Sequence, residues 1–331
     1  MKVIRAKILG FCMGVRRAVE MALRESSIGE KPGPESREHE SGTRRHLYTL
    51  GPLIHNPRVM EDLKKLGVDI LGEGDTPPEP SNSTVIIRAH GVAPETESGL
   101  RSQGVRILDA TCPHVKQNQM KARSFAEKGY FIFLAGEKNH GEIIGIRAYA
   151  EAGFRLIAPD SSNGPDDSDR IGSVHNFIPG FFPCCVVGNP GEAEREGEAL
   201  FNRYGRVKAV LIGQTTIGPG EYRAIKKKLR CYFSDLEVLD TICRATVERQ
   251  EALRELSTQV EAFVIAGHGD SANARRLLST ALDTGKNAWL VENAAGIPEE
   301  VFGYSVVGLS AGASTPDETV DEIEQALRGK L

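Results

Sequence analysis

Two hydrophobic patterns alternate along this chain. Short continuous apolar runs such as Val85–Ile87 and Ala262–Ala266 are typical of strands covered on both faces. We also predict a strand over Phe154–Ile157. Longer segments with apolar residues three and four positions apart, such as Val115–Lys128, predict amphipathic helices. Because strand and helix alternate over most of the chain, the pattern predicts an α/β fold with mostly parallel sheets.

The alternation runs through three rounds, which predicts three similar αβ lobes with mostly parallel sheets. At 331 residues the chain is also too long for one ordinary hydrophobic core. We expect the lobes at residues 1–111, 112–235 and 236–331.

Each expected lobe has one cysteine in an equivalent position, namely Cys12, Cys112 and Cys243. Each follows a short apolar run and a tight turn and precedes a helical pattern, most clearly in Leu108–Val115 and Leu239–Thr246. Backbone N–H groups and the helix dipole at such a junction favour a thiolate over a thiol. One such cysteine is more often a small buried hydrophobic residue. Three in equivalent positions predict sulfurs that meet at a shared centre.

Three thiolates limit the kind of centre. Structural zinc sites usually close with four protein ligands, and iron–sulfur clusters typically take four cysteines. A 4Fe-4S cluster with three cysteine ligands leaves one iron free for substrate, as a Lewis acid and electron donor, and we predict this centre. In the alternative, His90 or His140 is a fourth ligand, which would favour zinc or a closed cluster.

Polar side chains follow the predicted strands. Ligands of parallel sheets bind beyond the carboxyl ends of the strands, so we expect these side chains and the sulfurs to converge on one cavity. The side chains are those of His55, His90, His140, Glu142, Gln214, Thr215, Ser271, Asn273 and Ser314.

Two groups of these residues have competing interpretations. Glu142 lies at a predicted helix start, where the helix dipole favours a carboxylate, so its role could be structural. Because it is expected close to the cysteines, we interpret it as a general acid. The loops Ser271–Asn273 and Ser310–Thr315 precede helices, so they either bind phosphate or cap those helices. The pattern Thr315-Pro316-Asp317-Glu318 predicts a capping box for the last helix, with Pro at its first position.

Composition adds mainly exclusions. With a net charge of −4, the protein as a whole does not attract nucleic acid or anionic membranes electrostatically. No apolar run approaches the roughly 20 residues of a membrane helix, and the first residues lack a secretory leader pattern, so we expect a cytoplasmic protein. Six cysteines are then expected to be reduced, metal-bound or catalytic. We interpret Cys184 and Cys185 as packing residues in an insertion, and residues 28–45 and 159–172 as surface loops.

A series of short motifs resembles the LytB-type 4-hydroxy-3-methylbut-2-enyl diphosphate reductase family. The resemblance extends from Met1 to the C-terminal helix and is specific, because many motifs agree in order. The motifs are Gly10–Val15, Ile54–Asn56, Ala89–Val92, Asp109–Pro113, His140–Glu142, Gln214–Thr216, Ile242–Thr246 with Arg249-Gln250, and Ala311–Ser314.

The resemblance implies three αβ lobes around a 4Fe-4S cluster and the last step of the methylerythritol phosphate route to isoprenoids. The substrate would be an allylic diphosphate that loses its hydroxyl, giving isopentenyl and dimethylallyl diphosphate, with a ferredoxin or flavodoxin as electron donor. By motif, Cys12, Cys112 and Cys243 would hold the cluster, and Glu142 would deliver a proton with Thr215 nearby. The diphosphate would bind to His55, His90, His140, Ser271, Asn273 and Ser314.

The sequence departs from the family pattern in the phosphate loop. Ala272 replaces a second serine, and Asp270 would oppose a diphosphate unless it points away. Two other functions stay open. One is an open-site 4Fe-4S hydro-lyase that dehydrates a hydroxy acid without net electron transfer, with Arg88 as its carboxylate partner. The other is a non-catalytic metal or redox sensor that is indifferent to Glu142.

Overall fold

A computed structural model describes residues 1–27, 45–157 and 184–329, in which strands and helices alternate as the sequence predicts. The predicted loop 159–172, and all but the last residue of the predicted loop 28–45, lie outside this described part. The strands are β1 (Lys2–Arg5), β2 (His46–Leu50), β3 (Val68–Leu71), β4 (Ser83–Ile87), β5 (Arg106–Asp109), β6 (Phe131–Ala135), β7 (Cys184–Val187), β8 (Ala209–Gly213), β9 (Glu237–Val238), β10 (Ala262–Ala266), β11 (Asn287–Val291) and β12 (Val306–Ala311). The helices are α1 (Met13–Ser27), α2 (Pro57–Lys65), α3 (Pro94–Ser102), α4 (Pro113–Glu127), α5 (Gly141–Arg155), α6 (Pro190–Tyr204), α7 (Pro219–Arg230), α8 (Arg244–Leu256), α9 (Ala272–Leu282) and α10 (Asp317–Leu327).

The described strands form three parallel four-stranded sheets, which confirms the predicted three-lobed α/β fold. The strand orders are β3-β2-β4-β5, β7-β6-β8-β9 and β1-β12-β10-β11. We call these the first, second and third sheets. The central strands β4, β6, β8 and β10 are buried along their whole length, because helices cover both faces of a parallel sheet.

The second sheet illustrates how the helices cover both faces. Phe133 and Leu211 point to one face and pack with residues of α6 and α7. Ile132 and Leu134 point to the other face and pack with residues of α4 and α5. Alternate residues of a strand face opposite sides, so a fully apolar strand supplies two separate cores.

The described residues form two compact units. One consists of the described residues within 1–89, 100–110 and 244–331, and the other of those within 90–99 and 111–243. The first and third sheets belong to the former and the second sheet to the latter. We call them the two-sheet unit and the one-sheet unit.

Two strands pair outside the lobe in which the predicted boundaries put them. β1 begins the chain but pairs with β12 of the third sheet, and β9 pairs with β8 of the second sheet. The boundaries at 111/112 and 235/236 remain a prediction.

Two local predictions are wrong. The predicted strand Phe154–Ile157 does not form, because α5 continues to Arg155, with Phe154 against the core that Ile146 and Ala150 supply. The predicted capping box also fails. Helix α10 begins at Asp317 without a side-chain cap, and the Thr315 hydroxyl donates instead to the carbonyl of Ala266 at 3.0 Å.

Cys184 and Cys185 lie on β7 and pack into the cores on opposite faces of the second sheet. Burial raises the pKa of the Cys184 thiol to about 12 and raises that of Cys185 well above its ordinary value. Neither sulfur is therefore a thiolate near neutral pH, which agrees with a packing role. Among the helices that the structure describes, none is long and apolar enough to cross a membrane.

Candidate active site

Cys12 is half-buried directly before α1 in the two-sheet unit. Its backbone N–H donates to the carbonyl of Ala313 at 3.2 Å, and its carbonyl accepts the first helical bond, from the N–H of Arg16, at 2.9 Å. The turn that holds this sulfur is therefore fixed both to its own helix and to the loop that follows β12.

Cys112 and Cys243 belong to the one-sheet unit. In the chain each stands directly before a helix, Cys112 before α4 and Cys243 before α8. The carbonyl of Cys112 accepts a helical bond from the N–H of Lys116 at 2.9 Å, and Pro113 occupies the first turn. Neither cysteine is part of a disulfide, and both are half-buried, like Cys12. Each of these cysteines therefore lies at the positive end of a helix dipole, a position that suits anionic ligands.

Glu142 and Thr215 form a buried pair in the one-sheet unit. One carboxylate oxygen of Glu142 accepts the Thr215 N–H at 2.7 Å, and the other accepts the Thr215 hydroxyl at 2.8 Å. The carboxylate is 1% exposed. The Thr215 carbonyl in turn accepts the N–H of Cys243 at 2.9 Å. One residue therefore connects the candidate acid to the backbone of a candidate ligand.

His140 caps α5 beside this pair. Its Nδ1 accepts the N–H of Glu142 at 3.2 Å, so a neutral His140 carries its proton on Nε2. The rings of His90 and His140 meet edge to face, with their centroids 5.0 Å apart. These two predicted binding residues and the candidate acid are therefore neighbours in the one-sheet unit.

The turn after His90 depends on a glycine. Gly91 has a φ of 74°, and a Cβ there would overlap Nε2 of the buried Gln119 and lie 3.1 Å from Cγ2 of Thr111. We expect Gly91→Ala to lower the free energy of unfolding in urea by about 1–2 kcal/mol from the left-handed backbone alone, and by more from the overlap. In Gly220→Ala the new Cβ meets nothing within 4 Å and alanine favours the helix, so this control should be at least as stable as the parent. Equal stability of the two variants would contradict the expectation.

The remaining predicted binding residues come together in the two-sheet unit. The Ser314 hydroxyl lies 3.2 Å from the carbonyl of His55, to which it donates, and 3.4 Å from the Ser271 hydroxyl. The side-chain oxygen of Asn273 accepts the N–H of Ala313 at 3.0 Å. Ser271 also caps α9 through the N–H of Ala274, so the capping interpretation of this loop is correct as well.

Sheet topology explains where these loops lie. In the second sheet the chain leaves β6 toward β7 on one side and leaves β8 toward β9 on the other. In the third sheet β10 lies between β12 and β11, so the chain order likewise reverses between β12 and β10. Such switch points leave a crevice at the carboxyl ends of two adjacent strands. His140 and Thr215 follow the two strands at one switch point, and Ser271 and Ser314 follow the two strands at the other.

His55 is held as a neutral base. Burial lowers the pKa of its imidazole, and the guanidinium of Arg88 lowers it further, against the opposing charge of Asp270. The Asp270 side chain is 80% exposed and lies 3.5 Å from Nδ1 of His268. Its carboxylate is therefore directed largely to solvent.

Sequence reasoning missed residues that hold the predicted ones in place. Asn56 caps α2 and donates from its side-chain nitrogen to the Ser314 carbonyl at 2.9 Å. The cap itself could have been predicted, because Asn directly before Pro is a common start of a helix. The Thr241 hydroxyl accepts the Gly213 N–H at 2.8 Å and so fixes the segment before Cys243. No periodicity signals that contact.

These observations define an α/β protein that has a cysteine at each of three helix starts and a buried carboxylate beside one of them. The chain belongs to the LytB protein family, whose model matches residues 3–328. A relative from Treponema denticola, 4-hydroxy-3-methylbut-2-enyl diphosphate reductase, is 43% identical over 99% of both chains. Since its named relatives are reductases, the chain is an oxidoreductase.

Two solved structures agree with this membership. The structure titled (E)-4-hydroxy-3-methyl-but-2-enyl diphosphate reductase, the terminal enzyme of the non-mevalonate pathway, is 33% identical and has a TM-score of 0.63, covering 99% of this chain and 100% of that chain. The corresponding reductase from Plasmodium falciparum has a TM-score of 0.78 at 22% identity, covering 98% of this chain and 87% of that chain, which supports the fold.

Proposed function

We propose that this protein reduces 4-hydroxy-3-methylbut-2-enyl diphosphate to isopentenyl and dimethylallyl diphosphate, as the last step of the methylerythritol phosphate pathway. The allylic C–O bond breaks and a C–H bond forms. Two electrons and two protons are consumed, and the hydroxyl leaves as water. The observation that carries the proposal is the buried Glu142–Thr215 pair, which is hydrogen-bonded to the backbone of Cys243 in a chain of the LytB family.

The proposed cofactor is a 4Fe-4S cluster held by Cys12, Cys112 and Cys243. The donor set fits, because three cysteines outside any disulfide share one position at the start of a helix and thiolates are the usual cluster ligands. When bound, the cluster supplies electrons and an iron that acts as Lewis acid toward the substrate hydroxyl.

Glu142 is the proposed general acid. A carboxylate with two hydrogen bonds from Thr215 has a fixed orientation, and its burial excludes competing water. Hydroxide is a poor leaving group, so a positioned acid is needed for its departure. Thr215 orients this acid and places its own hydroxyl beside the transferred proton.

The diphosphate is proposed to bind His55, His90, His140, Ser271, Asn273 and Ser314. Hydroxyl, amide and imidazole donors at helix starts suit phosphate oxygens. Binding energy from this remote group fixes the reacting carbon, which raises the rate of the chemical step. A ferredoxin or flavodoxin is the proposed electron donor.

The direct test is anaerobic purification followed by iron and sulfide analysis. We expect about four iron and four sulfide ions per chain, and turnover of the allylic diphosphate that depends on a reduced viologen. Turnover without reductant would support the hydro-lyase instead. A cluster without any turnover would support the sensor.

Proton uptake on diphosphate binding tests the role of His55. A bound anion raises the lowered pKa of this imidazole, so the complex takes up a proton between the free and bound pKa values. The affinity for inorganic diphosphate should therefore fall as pH rises through that interval. Calorimetry in two buffers of different ionisation enthalpy measures the uptake.

His55→Gln should reduce this uptake and raise the diphosphate dissociation constant by roughly tenfold. His46→Gln, at an exposed histidine of β2, is the matched control and should behave as the parent. Unchanged proton uptake in His55→Gln would exclude this histidine from the diphosphate site.

A further inference from the structure

The two-sheet unit contains a buried hydrogen bond between the helix of one cysteine and the turn of another. Arg249 lies on α8, six residues after Cys243, and is 3% exposed. Its guanidinium donates to the carbonyl of Gly10 at 2.7 Å and to that of Ala245 at 2.9 Å. Gly10 lies two residues before Cys12, so the helix that Cys243 precedes holds the backbone of the Cys12 turn.

A second bond of the same kind starts from the helix of Cys12. Arg17 lies on α1, five residues after Cys12, and its guanidinium donates to the carbonyl of Asp109 at 3.1 Å. Asp109 ends β5, three residues before Cys112. The bond is therefore made to the segment that leads into the second sulfur.

The one-sheet unit supplies a third bond. Asn118 lies on α4, six residues after Cys112, and is 2% exposed. Its side-chain nitrogen donates to the carbonyl of Thr241 at 3.4 Å. Thr241 lies two residues before Cys243 and is itself fixed by the Gly213 N–H.

The three bonds form one cycle of donors and acceptors. Helix α1 donates to the segment before Cys112, α4 donates to the segment before Cys243, and α8 donates to the segment before Cys12. Each donor lies five or six residues after its own cysteine, and each acceptor lies two or three residues before the next.

We infer that Arg17, Asn118 and Arg249 are positioning residues, each of which holds the backbone leading into one cysteine in the conformation that a cluster ligand requires. The inference rests on the proposed function. Outer groups that orient metal ligands change metal retention strongly without touching the metal. Because each turn is held by the helix of another cysteine, loosening one bond weakens two ligand positions. The two arginines also add positive charge near the turns, which favours the reduced, more negative cluster.

The experiment compares iron release from anaerobically purified Arg249→Met, Arg17→Met and Asn118→Leu. The rate is followed by cluster absorbance after addition of an iron chelator. Arg249→Met should release iron on the order of tenfold faster than the parent, since it loses the shortest and most buried charged bond. Asn118→Leu should show the smallest effect, because its bond is the longest and uncharged.

Each variant has a matched control on the same helix. Arg254→Met, Arg16→Met and Gln117→Leu change exposed side chains and should release iron at the parent rate. Arg249→Lys keeps the charge and one donor, so it should restore slow release and a reduction potential above that of Arg249→Met.

Thermal unfolding of the chelator-treated proteins separates positioning from folding. If Arg249→Met unfolds like its control without iron but loses iron faster, the residue positions the cluster ligands. If Arg249→Met releases iron at the control rate, the inference is wrong but the proposed function stands. The same holds if Arg249→Met releases iron faster only because its iron-free form is less stable than that of the control. If the parent protein binds no iron or sulfide, the proposed function is wrong and the inference falls with it.

Discussion

Glu142→Gln is expected to lower turnover of the allylic diphosphate by about 10²–10⁴-fold while the cluster absorbance stays unchanged. Glutamine preserves the local structure because its oxygen can accept the Thr215 N–H, and its nitrogen can donate to the Thr215 hydroxyl, which then rotates. The proton that a carboxylic acid would deliver is lost. Steady-state assay with reduced viologen, beside iron analysis, measures both quantities.

Glu192→Gln is the matched control for this prediction. Glu192 also lies in the first turn of a helix and accepts a backbone N–H, that of Gly188 at 2.9 Å. That hydrogen bond lowers the pKa of its carboxyl, so Glu192 is the carboxylate that a helix start ordinarily attracts. Its replacement should leave turnover unchanged. Full activity in Glu142→Gln would show that Glu142 has the same structural role as Glu192.

Cys112→Ala is expected to lower bound iron and turnover together, each by at least about a hundredfold, because a cluster ligand is lost outright. The fold should persist, since Cys112 is only half-buried and lies outside the hydrophobic cores of the described residues. Iron analysis and far-ultraviolet circular dichroism measure the two effects.

Cys231→Ala provides the control for this loss. Cys231 is exposed at the end of α7, where its thiol donates to the carbonyl of Lys227 at 3.4 Å. Iron content should equal that of the parent. If Cys112→Ala retained a full complement of iron, Cys112 would not be a ligand, and the three-cysteine cluster would be wrong.

The sequence predicted the class of fold because that information is local. A strand such as β10 must be apolar throughout if helices cover both of its faces, and a helix such as α4 shows its buried side within its own residues. The position of Cys112 before a helix is also local, since a strand-like run, a turn and a helical pattern surround it. Family motifs extended these local signals to individual residues of the candidate site.

The local sequence pattern gave wrong predictions where the same residues are compatible with two structures. The segment Phe154–Ile157 is apolar enough for a strand, but its first residues continue the spacing of Ile143, Ile146 and Ala150 along α5. The residues from Thr315 onward have the pattern of a capping box, but the Thr315 hydroxyl donates to the carbonyl of Ala266 on β10 instead.

The sequence by itself thus determined the alternation of strand and helix and the cysteines at helix starts, because each depends on a few neighbouring residues. Tertiary structure alone decided that β1 joins the third sheet, that Thr215 binds Glu142, and that Arg249 holds the turn of Cys12. The partners in these contacts are separated by 73 to more than 200 positions. Only the packing of complete sheets and helices brings such distant groups within hydrogen-bonding distance.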